Sequence, residues 1–355
     1  MACRFQLPAL CLRGGLSLLV GLALLPPLHA QPMPTGGEPA RRPAPIRIGG
    51  SSTVFPILQE AIKAYRAAGN STPIDLQESG TSDGFRRFCA GQLEIANASR
   101  PITAKEIKAC QSKGISFIEL PIAFDALTVV VHPANSWARS ISTAELARLW
   151  GRKSQGVVDR WSEVNSSWPA KPIRLCGPGK DSGSFDYFNK AITGNAEDSR
   201  TDYTASEDDN VLVRCVAGNP EALGYFGFSY YQANAGKLRA LAIGTPGAAV
   251  LPTLKTVQSG RYVPLSRPVF LYVNDRALAE RKEVQSFMKF TLRQGLRLVQ
   301  RARMIPLPSS TYQLVEIKLY QRITGSAFAG DLPVGLSIGE ALRRSFDGNK
   351  RPEFR

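Results

Sequence analysis

From Ile46 onward the chain alternates short apolar runs with segments whose apolar residues recur at helical spacing. IRIGG reads as a strand that stops on two glycines. VFPILQEAIKAYRAAG follows, with Val54, Ile57, Leu58, Ala61, Ile62 and Tyr65 on one helical face and Pro56 in the tolerant first turn. PIDLQES and LEIANAS read as further strands, with SDGFRRFCAG and TAKEIKACQSKG as the helices after them. SFIELPIAFDALTVVVHP is long and rich in β-branched and aromatic residues, a suitable place for the chain to cross into a second lobe.

The second lobe is expected to hold STAELARLWG, RWSEV, the strand KPIRLC, the helices SFDYFNKAI and DDNVLVRCVAGNP, and the strand ALGYFGFSYY. RPVFLYVN is a strand able to carry the chain back, where EVQSFMKFTLRQGLRLVQ and SSTYQLVEIKLYQRI read as strongly amphipathic helices completing the first lobe. The implied fold class is α/β: a two-lobed clamshell, each lobe a mixed sheet flanked by helices, joined by two hinge crossovers. The expected boundaries are lobe 1 over 45–127 and 268–330, lobe 2 over 128–267, and a basic C-terminal tail, 331–355, that frays.

The N-terminus bears on destination. Arg4 and Arg13 precede the apolar run LSLLVGLALLPPL, and Leu28-His29-Ala30 ends in a small residue before Gln31. Residues 1–30 read as a cleaved signal peptide, 31–44 as a Pro/Gly-rich flexible leader, and the mature chain as soluble and periplasmic. Of six cysteines, Cys3 and Cys11 lie in the signal. Cys89, Cys110, Cys176 and Cys215 remain, and in an oxidising compartment they suggest two disulfides with three pairings open. The nearest-neighbour choice, Cys89–Cys110 and Cys176–Cys215, would contribute about 3 kcal/mol per bridge. No CxxC pair or Cys/His cluster supports a metal. The formal charge of +15 is spread along the chain without a basic run or an aromatic-basic motif, so nucleic acid is not expected as a partner.

The polar small-residue clusters fall at one topological place, between a strand and the helix after it. GGSSTV follows the first strand, ESGTSDG the second, and GPGKDSGS follows KPIRLC; Asn97-Ala98-Ser99-Arg100 ends the LEIA strand. Ligands of open α/β sheets sit beyond the carboxyl ends of strands. Helix N-termini present unpaired N–H groups there, glycine admits close approach, and Ser or Thr adds a hydroxyl. Several converging termini make an anion cage, to which Arg100 could add a bidentate fork. Ser182 in GKDSGSFDYF could alternatively be a nucleophile, yet the mature chain's one histidine, His132, has no carboxylate beside it. No GxSxG, Walker A, Rossmann or HExxH motif occurs, so catalysis is disfavoured and no cofactor is expected.

GGSSTVFP, ESGTSDGF, EIANASRPI, GPGKDSGSFDYF and SEDDNVLVRCVAGNPEALGYFGFSYY occur in that order. The set resembles the periplasmic phosphate-binding protein of the high-affinity phosphate ABC transporter, cyanobacterial subgroup, over Ile46 to about Ala329. The resemblance implies a type II periplasmic-binding-protein fold, closure on inorganic phosphate, delivery to membrane permease subunits, and action as a monomer without catalysis. Its motifs map the phosphate-binding set onto Ser52, Thr53, Val54, Thr81, Ser82, Ser99, Arg100, Ser182, Gly183 and Ser184, with Asp181 nearby. Enterobacterial members differ: they carry an Arg where this chain has Pro178 and an Asp where it has Arg100, so the positive charge moves between lobes. Selectivity over sulfate calls for a carboxylate that accepts the phosphate proton, and Asp181, Asp83 and Asp125 are the candidates, with Asp181 favoured. The alternatives are a receptor for sulfate or arsenate, an exported serine hydrolase or phosphatase using Ser182, and a phosphate sensor without a permease.

Overall fold

The computed structural model describes residues 44–347 and, in isolation, Ala2; the expected signal peptide and nearly all of the leader lie outside the described residues. The chain opens with β1 (Ile46–Gly50), α1 (Phe55–Ala67), β2 (Ile74–Glu78), α2 (Thr81–Cys89), β3 (Ile95–Ala98), α3 (Ala104–Ser112) and β4 (Phe117–Ala126). It continues through β5 (Thr128–Val131), β6 (Ser140–Ile141), α4 (Thr143–Trp150), α5 (Trp161–Val164), β7 (Arg174–Gly177) and α6 (Gly183–Thr193). Next come β8 (Thr204–Ala205), α7 (Asp209–Ala217), β9 (Ala222–Phe226), α8 (Phe228–Ala233), β10 (Arg239–Ala240), β11 (Ala242–Ile243) and α9 (Leu254–Gln258). The return is β12 (Ser266–Asn274), α10 (Asp275–Glu280), α11 (Lys282–Arg293), α12 (Gly295–Arg301), β13 (Ile305–Pro306), α13 (Ser309–Tyr320) and α14 (Ile338–Asp347).

Two main sheets result. One has the order β13-β4-β12-β3-β1-β2, the other β10-β5-β9-β7-β8. Both mix parallel and antiparallel pairs: β1 runs parallel to β2 and β3, whereas β12 pairs antiparallel with both β3 and β4. The chain leaves the first sheet between β4 and β5, where Leu127 alone separates them, and re-enters it at β12. Every residue of β4 and β12 is buried, as befits strands covered on both faces. One extensive core runs through both sheets, and two satellite clusters each surround a disulfide. Cys89–Cys110 ties α2 to α3 and Cys176–Cys215 ties β7 to α7.

Two expectations are corrected here. The 331–355 segment does not fray as far as it is described: α14 buries Ala341 and Ser345, and Leu332, Val334, Leu336, Ile338, Leu342 and Phe346 pack on the core. Its basic residues mask an apolar face recurring at helical spacing. In the opposite direction, α13 buries Tyr312, Val315 and Leu319 but leaves Leu314, Ile317 and Tyr320 exposed, so its apolar residues do not keep to one stripe.

Candidate functional site

Three loops meet where the carboxyl ends of the strands face each other, and each opens a helix. The first runs from β1 into α1, the second from β2 into α2, and the third from β7 into α6. Ser51, Ser52 and Thr53 of the first, Thr81 of the second, Ser182 and Ser184 of the third, and Ser99 after β3 are all buried. They lie next to one another: Thr53 Oγ1 is 3.3 Å from Ser184 Oγ, and Thr81 Oγ1 is 3.3 Å from Ser99 Oγ and accepts the Ser99 N–H at 3.2 Å. Ser182 caps α6, its hydroxyl accepting the Ser184 N–H at 3.1 Å. The N–H groups of Thr53, Val54 and Gly183 have no backbone acceptor among the described residues, as expected at helix starts.

Contact between the lobes is direct. Ser82 N–H donates to the Asp181 carbonyl at 2.8 Å, Tyr230 Oη donates to the Ser52 carbonyl at 3.2 Å, and Arg100 Nε reaches Asp186 at 2.6 Å. A Cβ on Gly183 would stand 2.7 Å from Ser99 Oγ and 2.8 Å from Thr81 Oγ1. The glycine is therefore required by the approach of the first lobe's hydroxyls to the α6 N-terminus. At the mouth, a Cβ on Gly80 would stand 2.6 Å from the Asp181 carbonyl, and its φ of 86° is one that glycine favours.

A family model described as a PBP superfamily domain matches residues 34–294. The chain is 45% identical over 307 residues to protein SphX of Synechococcus elongatus, spanning 86% of this chain and 90% of that one. It is 35% identical over 274 residues to the phosphate-binding protein PstS of Staphylococcus aureus, spanning 76% and 81% of the two chains. A solved structure, that of a possible phosphate binding protein from Planctomyces limnophilus, superposes with a TM-score of 0.58 at 42% identity, covering 78% of this chain and 98% of that one. The chain belongs to the PBP superfamily. These are binding proteins rather than enzymes, and in this PBP-superfamily member Ser182 serves as a helix cap.

Two residues singled out from the sequence stand elsewhere than expected. Arg100 is buried, but its guanidinium is spent. Nε donates to Asp186, Nη1 to Glu106 and the Pro101 carbonyl, and Nη2 to Glu106 and Ser82, which occupies all five N–H groups. No N–H remains for an anion, so the expected fork is a latch between α3 of one lobe and α6 of the other. Ser82, also in the expected set, is thereby the acceptor of an Arg100 N–H. Asp181 is likewise no buried acceptor: its side chain is 46% exposed, and its one ion pair among the described residues is with Arg86 at 3.4 Å. Asp83 pairs with Arg86 and Arg87 on the surface of α2.

Sequence reasoning missed Arg267 and Asp209. Arg267, on β12, is fully buried and stands in cross-strand register with Asp125 on β4. It donates to Asp125 through Nε (3.2 Å) and Nη2 (2.9 Å), to the Gly183 carbonyl through Nη1 (3.0 Å), and to Ser184 Oγ (2.7 Å) and Thr53 Oγ1 (3.3 Å) through Nη2. Asp125 also accepts the Phe228 N–H at 3.0 Å. Asp208 caps α7, and the next residue, Asp209, is buried with Oδ2 unpartnered among the described residues. Burial pushes its carboxyl well above the usual range, partly offset by the Ser52 hydroxyl and reinforced by Glu78 and Asp125. The one available signal for Arg267 was a single charge at the start of an otherwise apolar strand, RPVFLYVN.

Proposed function

We propose that this protein is an exported receptor that captures inorganic phosphate between its lobes and hands it to the membrane permease subunits of an ABC importer, acting as a monomer. The observation that supports it is the meeting of Thr53, Thr81, Ser99 and Ser184 hydroxyls with the N-termini of α1, α2 and α6 in a buried, lobe-spanning cluster. Such a cluster offers many neutral donors to one tetrahedral oxyanion and excludes water from it. The phosphate-binding name of the PstS relative favours phosphate over other oxyanions. Among the described residues no helix is long and apolar enough to cross a membrane, which fits a receptor that meets its permease from outside. Of the residues expected to bind phosphate, Ser52, Thr53, Val54, Thr81, Ser99, Ser182, Gly183 and Ser184 keep that role in this proposal. Arg100 and Ser82 hold the lobes together instead, and Asp181 contributes its backbone carbonyl to the mouth.

Equilibrium dialysis of the mature protein against labelled phosphate tests the reading. Saturable binding at one ion per chain, undiminished by a large excess of sulfate, is expected. Binding displaced by sulfate would mean a general oxyanion receptor, and no binding would overturn the proposal. Phosphate esters should be left intact by the same preparation, and turnover dependent on Ser182 would instead support a hydrolase.

A further inference from the structure

Resting on the receptor reading above, we propose that Arg267, seated by Asp125, is the cation that reads the charge of the bound oxyanion, and that it does so from the hinge strands rather than from either lobe's loops. Both buried arginines near the loops could have served, and their hydrogen bonding separates them. Arg100 has an acceptor for each of its five N–H groups, with two carboxylates around it. Arg267 has one carboxylate, Asp125, and one N–H of Nη1 has no acceptor among the described residues. Its Nη2 touches Ser184 Oγ and Thr53 Oγ1, the two hydroxyls that join the first loop to the third. An anion held by those hydroxyls therefore lies beside the guanidinium edge, within the dry environment where a charge-assisted hydrogen bond is strongest.

Asp125 is the positioning residue. It faces Arg267 across the β4–β12 pair, and its other oxygen is held by the α8 N–H of Phe228. Both strands cross from one sheet to the other at this end, β4 running on into β5 and β12 returning. The charge thus sits at the pivot of the two lobes and stays in place as they move, while the loops bring neutral donors to it. A fixed cation at the pivot with mobile neutral donors gives an open receptor a point to which an anion is first drawn.

The test is phosphate affinity by calorimetry on three mature proteins: wild type, Arg267→Lys, and the double variant Arg267→Gln/Asp125→Asn. The double variant removes both charges together, so neither is left buried alone. Each is measured well below its ligand-free Tm, so that affinity is read on folded protein. We expect the Lys variant to bind about tenfold more weakly, since it keeps the charge but loses the fork, and the double variant about a hundredfold more weakly or worse. A double variant that binds within about threefold of wild type, however much its Tm falls, would overturn the proposal and leave the pair a structural role. If the double variant does not fold, a Lys variant within about twofold of wild type overturns it equally. A wild type that binds no phosphate would instead overturn the receptor reading, and this proposal with it.

Discussion

Arg100 and Arg267 are both buried, both touch carboxylates, and both lie against the loops at the lobe boundary, yet they are built for different work. Arg100 is enclosed by Glu106 and Asp186, which come from α3 and from α6 across the lobe boundary. Arg267 shares one carboxylate with its neighbouring strand and gives other donors to a carbonyl and two hydroxyls, leaving one Nη1 N–H without an acceptor among the described residues. A guanidinium with an acceptor for every N–H, two carboxylates among them, is a structural bolt, and one with an incomplete set has capacity left for a ligand.

The largest effect that sharpens this contrast is on stability. Arg100→Met should strand the Glu106 and Asp186 carboxyls in partly buried positions and lower the stability of the ligand-free protein by about 3 kcal/mol. Urea unfolding measures it. A loss of stability as large from Arg267→Lys, with none from Arg100→Met, would reverse the roles assigned to the two arginines. Glu106 adds its own restraint, since it also closes the α3 capping box with Thr103.

Next in size is a purely steric change at the meeting point. Gly183 has no positive φ, so Gly183→Ala should leave each lobe intact. Its methyl group would nevertheless collide with Ser99 and Thr81 when the lobes meet. Overpacking of this kind costs about 1–3 kcal/mol, so phosphate should bind about tenfold to a hundredfold more weakly. Unaltered affinity would mean that the ligand is held without this approach of the lobes.

How much of this could be read from the sequence divides along the same line. The three Ser/Thr/Gly loops announce themselves locally, because a hydroxyl and a glycine ahead of an apolar periodic run already define a helix start with open donors. The nearest-neighbour cysteine pairing was legible for a similar reason, each cysteine bonding to the next one along the chain, 21 and 39 positions away. Arg100 looked free because its partners are Glu106, which reads as an ordinary capping residue, and Asp186, which is brought to it only by lobe contact. Arg267 and Asp125 were the least legible. They are 142 positions apart, and only the antiparallel register of two buried strands makes them neighbours.

A smaller, pH-dependent effect probes the mouth, where the balance of charge is opposite to that at the floor. Glu78 of the first lobe and Glu207 of the second are each pushed up to about 7. Burial is the main cause for both; Asp208 adds to it for Glu78, while Asp181, Asp186 and Glu78 add to it for Glu207 against the Asp181 N–H that it accepts. Glu78 Oε1 and Glu207 Oε2 have no partner among the described residues. When the lobes part, these carboxyls meet water and return toward the ordinary range, so the closed form binds more protons than the open one. Closure is then unopposed below about pH 4.5 and increasingly opposed as pH rises from there to about 7, above which the opposition levels off. Glu207→Gln should bind phosphate about tenfold more tightly than wild type at pH 8 and about equally at pH 4, with both proteins sharing whatever dependence the ligand's own ionisation brings. Parallel pH profiles would show that the mouth does not couple closure to protons.

The smallest effect expected is at the residue the sequence favoured as the reader of the phosphate proton. Asp181→Asn removes one carboxylate from a side chain that is 46% exposed and holds only Arg86, an ion pair of the surface kind that contributes a few tenths of a kcal/mol. What Asp181 gives to lobe contact is its main chain: its carbonyl accepts the Ser82 N–H and its own N–H donates to Glu207, and neither changes with the side chain. Phosphate affinity should therefore stay within about twofold of wild type, and sulfate should still be refused. Asp209→Asn is the matched control, since that carboxyl is fully buried beside Ser52 with one oxygen unpartnered. If the exposed aspartate changed selectivity and the buried one did not, charge discrimination would lie at the mouth of the cleft, and the contrast between a bolted Arg100 and an available Arg267 would lose its functional meaning.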